Sequence, residues 1–312
     1  MSLGRLSIQR LRRGLYKHLD HWQERDRVAQ WLLLIGRAPF PDAGRLNPAS
    51  LAPIVPPPDR FWADPFIWSR DGRCWVFVEE LPFESRIGRI SVLELDDALR
   101  PMGSATPVLD EPRHLSYPYL FEYSGELFMV PESAGSGRID CYRCVEFPTR
   151  WTLELSLMTG IQAADATLFE HDGHWWLLCA ARAPGAHING SLLAFHAGQP
   201  LTDRWTPHPC NPLVRDFSRG RPGGRVLPRG DGRLIRPAQD SVPRYGFGLR
   251  LMEIERLTAD GYREREIWHG TGPGCGGWRA MHHLDWHAGI LVMDAQQLLP
   301  RVPAQAGPAT RP

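Results

Sequence analysis

The chain has 312 residues, with 36 Lys and Arg against 35 Asp and Glu, twelve Trp, twelve Phe, seven Tyr and six Cys. A net charge of +1 gives bulk electrostatics no hold on nucleic acid, so any recognition must be local. The length allows one large all-β domain, and no apolar run approaches the roughly 20 residues that a membrane-spanning helix needs.

Residues 1–25 read as a basic amphipathic extension, with Leu3, Leu6, Ile8, Leu11, Leu15 and Leu19 set among Arg5, Arg10, Arg12, Arg13 and Lys17 at roughly helical spacing. Such a segment lies in solvent, packs on the domain, or makes a weak contact with an anionic membrane surface or a partner. No apolar stretch with a cleavage site follows it, so the expectation is a cytoplasmic protein. Residues 26–37 read as a strand, and the proline-rich run from Pro39 to Pro58 as an extended connector.

From Phe61 onward one unit recurs: an apolar strand, a glycine-centred turn and a second apolar strand. The turn glycines are Gly72, Gly125, Gly173, Gly232 and Gly289. Five residues before them stand Ile67, Leu120, Leu168, Leu227 and Leu284; two after stand Cys74, Leu127, Trp175, Leu234 and Leu291. The spacing of the turns has the period of a propeller, and each interval has room for two further strands. Residues 26–299 therefore read as a five-bladed β-propeller of four-stranded blades. Its last blade is completed from the N-terminal side by residues 26–37 or the segment after Pro39, which removes exposed sheet edges. Residues 300–312, rich in Pro and Ala, read as a disordered tail.

In such a hairpin the residue eight before the glycine and the residue seven after it lie opposite each other, far from the turn. The first set is Asp64, Tyr117, Asp165, Gly224 and Met281; the second is Glu79, Glu132, Ala180, Gln239 and Gln296. With the first strand of each blade lining the axis, four carboxylates gather on one rim. They either pair with the flanking Arg60, Arg113, Arg182, Arg221, Arg225 and Arg236, or raise one another's pKa values for acid and base work. A pair of this kind, roughly 5 to 9 Å apart, is what glycosidic bond chemistry uses.

The motifs Trp-Ala-Asp-Pro-Phe around Asp64 and Asp-Ala-Thr-Leu-Phe from Asp165 resemble the start-of-blade aspartates of the five-bladed glycoside hydrolases of family 43. The run through His114-Leu115-Ser116-Tyr117-Pro118, Pro131-Glu132-Ser133, Asp165-Ala166-Thr167 and Arg236-Pro237-Ala238-Gln239-Asp240 is similar to the N-terminal domain of plant glucosamine inositolphosphorylceramide transferases. The likeness covers about residues 50–297. It implies Asp64 as base and Asp165 as the residue that tunes and orients the acid. The fourth blade opens on Arg221-Pro222-Gly223-Gly224-Arg225 where such hydrolases usually carry a glutamate, so Glu132 is the candidate that stands in as acid, with Glu79, Glu80 and Asp240 behind it. Glu79, Tyr117, Arg236, Gln239, Asp240 and His283 are then the substrate-binding candidates.

The function expected is hydrolysis or transfer of a glycosyl unit, in cell-surface glycan or glycolipid metabolism. The alternative is a non-catalytic glycan-binding or scaffold module serving a partner enzyme. No dedicated metal or cofactor is expected; an axial ion at His282, His283 and Asp285, or a nucleotide-sugar donor held by rim arginines, are the two additions the resemblance and the charge pattern allow. No nucleophile elbow, P-loop or dinucleotide fingerprint is present.

Overall fold

Each repeat folds as its turn demands. Gly72, Gly125, Gly173, Gly232 and Gly289 have φ between 72° and 82°, and before four of them Asp71, Ser124, Asp172 and Ala288 are left-handed too. Two successive positive φ values make the type I′ turn, whose twist matches the strands it joins. Of the ten flanking apolar positions nine are buried, and Trp175 is half-buried.

The computed structural model describes residues 8–9, 11–14, 16, 25–41, 46–133, 135–182 and 187–301. These form five antiparallel sheets. Blade 1 runs outward from the axis through Arg60–Arg70, Arg73–Pro82, Arg89–Leu95 and Thr106–Leu109. Blade 2 follows as Leu115–Tyr123, Glu126–Ser133, Arg138–Glu146 and Arg150–Thr159. Blade 3 is Ala163–His171, His174–Ala181 and Ser191–Ala197, edged by the short Thr206–Pro207 and Val214–Arg215. Blade 4 has a broken inner strand, Arg221–Pro222 and Leu227–Pro228, ahead of Leu234–Asp240, Gly248–Thr258 and Gly261–Thr271.

Blade 5 joins the two ends of the chain. Leu284–His287 and Ile290–Pro300 are continued by Arg27–Arg37 and then Ala52–Ile54, so both N-terminal segments that the sequence offered are used. Arg27–Arg37 pairs with Ile290–Pro300 along its whole length, and its centre, Leu32 to Ile35, is almost inaccessible. The last strand reaches Pro300; the tail expected beyond it lies outside the described residues from 302 onward. All six cysteines are free thiols.

The inner strands are bent at one equivalent place. Pairing breaks between Ala63 and Phe66, Ser116 and Tyr119, and Ala164 and Thr167, and within each break Asp64, Tyr117 and Asp165 have φ of 50°, 47° and 55°. A bulge of this kind re-aims a side chain, and here it turns three residues toward the axis. In blade 4 the same position is Gly224, with φ of 139° and no room for a side chain: a Cβ there would stand 1.8 Å from the Leu284 carbonyl oxygen. Polar contacts tie the blades across the axis. Arg225 donates to the Leu120 carbonyl at 2.7 Å and pairs with Asp285 at 2.9 Å, and Asp285 accepts from the Ile67 amide at 2.9 Å.

Candidate functional site

The bulges deliver Asp64 and Asp165, and the second strand of blade 2 delivers Glu132. Glu132 and Asp165 meet at Arg221, the first residue of the broken inner strand of blade 4, and Asp64 stands near enough to both for the charges to act on one another. Arg221 binds Asp165 through two nitrogens, reaches Glu132 at 3.2 Å and donates to Asn189 Oδ1 at 2.9 Å. Gln239 donates to Asp165 Oδ2 at 3.0 Å, so the Asp165 carboxylate accepts three hydrogen bonds from two side chains. The fork of a guanidinium suits this task, since it binds one carboxylate bidentately and still reaches a second.

Asp64 stands against a different partner group. Its Oδ1 lies 3.6 Å from His283 Nδ1 and 3.9 Å from His282 Nε2. His282 Nδ1 is 2.5 Å from Asp294 Oδ2, an ion pair, while Asp294 Oδ1 accepts the backbone amides of His282 and His283 at 2.8 and 2.9 Å. The His282 ring stacks on Trp31 with centroids 4.1 Å apart. Tyr245, 41% exposed, meets the edge of His282 and lies beneath the Arg221 guanidinium, which puts an aromatic ring at the mouth.

These surroundings set the charges. Burial pushes the Asp64 carboxyl well above the usual range; His282 opposes this, and Glu79, Asp165 and Asp294 add to it. Burial likewise raises Glu132, against the pull of Arg221. His282 would lose its proton through burial alone, but Asp294 and then Asp64 outweigh that and hold it as an imidazolium with a pKa of about 9. His283, fully buried between Phe66 and Tyr117, is pushed down to about 4 and is neutral. Asp64 Oδ1 and both ring nitrogens of His283 are buried with no hydrogen-bond partner among the described residues. Asp64, His282 and Asp294 place one ligand atom each within 4.8 Å of one another and are the described residues best arranged for a cation. With His282 protonated, the group is charge-compensated as it stands.

The remaining sequence candidates fall in several places. Glu79 accepts from His114 Nε2 at 3.0 Å beside Asp64, and Tyr117 bonds Thr167 and the Gly224 amide beneath the cluster. Arg236 is committed to Glu264 at 2.7 Å and to the Arg219 carbonyl, and Asp240 to Arg250 at 2.6 Å and His269 at 3.1 Å, so neither is brought to the cluster. Three more of the flanking arginines hold carboxylates: Arg60 with Asp59 and Glu80, Arg113 with Glu111, Arg225 with Asp285.

The sequence assigns no role to Tyr245 or Asp294, counts Arg221 only among six flanking arginines, and places His282 only beside an axial ion. Asp294 carried a readable signal: five residues after the turn glycine the other blades have Phe77, Val130, Leu178 and Pro237, and only here is that inward position charged.

Residues 47–297 match the family described as glucosamine inositolphosphorylceramide transferase 1, N-terminal. The glucosamine inositolphosphorylceramide transferase 1 of Arabidopsis thaliana is 34% identical over 239 residues, 73% of this chain and 30% of that protein. Its namesake in Oryza sativa subsp. japonica is 34% identical over 244 residues, 77% of this chain and 32% of that protein. The chain thus spans about a third of these relatives. Among solved structures, the catalytic domain of the Coprinopsis cinerea GH62 α-L-arabinofuranosidase aligns with a TM-score of 0.56 at 13% identity, covering 75% of this chain and 90% of that one. A levansucrase of B. megaterium aligns at 0.51 and 11% identity, over 65% and 67%. At such identities the likeness is one of fold.

Proposed function

Because the chain belongs to the family of the N-terminal region of glucosamine inositolphosphorylceramide transferase 1, we propose that its axial cluster takes a glycosyl unit and promotes its transfer or hydrolysis. The observation that carries this is the convergence of three carboxylates from three blades: Glu132 and Asp165 share Arg221, which lies over a half-exposed tyrosine ring, and Asp64 stands within reach of their charge. Carboxylates suit sugar hydroxyls as acceptors, and a tyrosine face suits the apolar side of a pyranose.

Glu132, whose pKa burial raises well above the usual carboxylate range, is the proton donor to the departing glycosidic oxygen. Asp64 is the base that takes the proton of the incoming hydroxyl or water, with His282 opposing the rise that burial imposes on its pKa. Asp165 stays on Arg221 and positions it against Glu132. The relatives carry the name of a transferase, which favours an acceptor hydroxyl over water. Arg221 is engaged with two carboxylates and Asp64 and Glu79 stand close by, so the balance favours a neutral glycosyl donor over a nucleotide sugar.

The engagement of both Glu132 and Asp165 by Arg221 favours a second reading, a glycan-binding module that serves a partner enzyme. Thermal-shift screening with neutral oligosaccharides and nucleotide sugars, followed by turnover of whichever binds, separates the two. Catalysis predicts that Asp64→Asn and Glu132→Gln bind the sugar but lose turnover; binding without turnover in the unaltered chain sinks the enzymatic reading.

A further inference from the structure

The N-terminal helix is docked by its polar side. Residues 8–9, 11–14 and 16 are helical. Gln9 is buried, donating to Asp216 Oδ1 at 2.8 Å and accepting from the Phe217 amide at 3.4 Å. Arg13 donates to the Ser241 carbonyl at 2.5 Å, and its guanidinium covers the Phe217 ring at 4.6 Å. At about 3.6 residues per turn, Ile8 and Leu11 fall on the side away from Gln9 and Arg13, and they are 59% and 75% exposed. A helix that only packed on its domain would bury the apolar face and leave the polar one in water. Here the order is reversed, so something other than the domain is the natural cover for Ile8 and Leu11.

The charge of the stretch identifies that cover. Residues 1–17 contain five basic side chains and no acidic one, so 31 of the 36 basic residues lie beyond it against all 35 acids. The chain is thus a slightly acidic body with one strongly basic segment, and exposed Arg12 lies beside the Ile8–Leu11 face. Apolar side chains flanked by arginine are the composition of a helix that lies in the headgroup region of an anionic bilayer. No described helix is long and apolar enough to span a membrane, which leaves contact with the surface.

We infer that this helix docks the protein on an anionic membrane, with Ile8 and Leu11 inserted and exposed Arg12 on lipid headgroups. The helix rests on the face where the axial cluster opens. Ser241 directly follows the strand that carries Gln239, and Asp216 and Phe217 lie four to five residues ahead of Arg221. Docking therefore brings the mouth of the propeller beside the lipid surface. The inference is independent of what the axial site takes, and its test needs no substrate.

The test is co-sedimentation of the full chain with phosphatidylcholine vesicles and with vesicles that contain phosphatidylglycerol. The expected result is binding to the anionic vesicles only, weakened in high salt, and reduced about tenfold or more in the Ile8→Gln/Leu11→Gln variant, which removes both inserted apolar side chains. Both positions are exposed, so unfolding curves of this variant should match the parent. No binding to anionic vesicles, or undiminished binding by the variant, overturns the inference. So does a dimer in light scattering that the variant converts to monomer, because a second copy would then be what covers the face.

Discussion

Replacing Arg221 with Met leaves two carboxylates facing each other at the axis without their shared cation. Asp165 is 1% exposed and Glu132 13% by side chain, so neither recovers its hydration from solvent. Breaking a buried pair by removing one partner costs about 3–5 kcal/mol. That range applies here because Arg221 makes two of the three side-chain hydrogen bonds that the Asp165 carboxylate accepts, and both are charged. The cost grows with pH. Glu132 already holds its proton more tightly in the folded than in the unfolded chain, and loss of Arg221 raises its pKa further, so the folded state weakens as pH rises through the carboxylate range and beyond. The assay is urea unfolding at pH 5 and pH 8, compared at equal m-value. Arg221→Met/Asp165→Asn should regain about 1–3 kcal/mol over the single variant, because the pair is then neutral on both sides. A loss below about 1 kcal/mol for Arg221→Met, or strictly additive effects in the double variant, would refute the bridging role of Arg221.

Three further outcomes follow from the same geometry. His282, with a folded pKa near 9 against an ordinary 6.5, contributes stability that is complete below about pH 6.5 and is lost as pH rises through 9; a thermal melt series from pH 6 to 10 should show this fall, and Asp294→Asn should largely remove it. Gly224→Ala places a methyl group on the Leu284 carbonyl at a backbone angle that alanine resists, so it should cost more than about 3 kcal/mol or abolish soluble expression; a melting temperature within a few degrees of the parent would contradict the placement of blade 4. Glu132→Gln should lower turnover by about 100-fold or more while leaving sugar affinity within a few fold, measured by calorimetry beside initial rates.

The fold was legible because its determinants are local and repeated. Turn glycines, the apolar pair at fixed offsets and the unfinished last blade together specify five hairpins and the closing strand. The axial carboxylates were legible for the same reason, since Asp64 and Asp165 hold one repeated position in the frame and Glu132 holds the position opposite it. What surrounds them was not. Arg221 and Arg236 look alike in the sequence, and only the path of the chain puts Arg221 on Asp165 and buries Arg236 against Glu264 in its own blade. Tyr245 lies in a connection between strands, outside the repeat, so no offset points to it. The role of the N-terminal helix depends on which face docks, and hydrophobic periodicity alone assigns the opposite one.

The most direct test of the central claim is a crystal structure of the Glu132→Gln variant grown with the neutral oligosaccharide that binds best in thermal-shift screening. The account predicts a sugar ring at the axial mouth, stacked on Tyr245 and hydrogen-bonded to Asp64 and residue 132. A sugar bound on another face of the propeller, or an axial mouth filled without contact to Asp64, would contradict it.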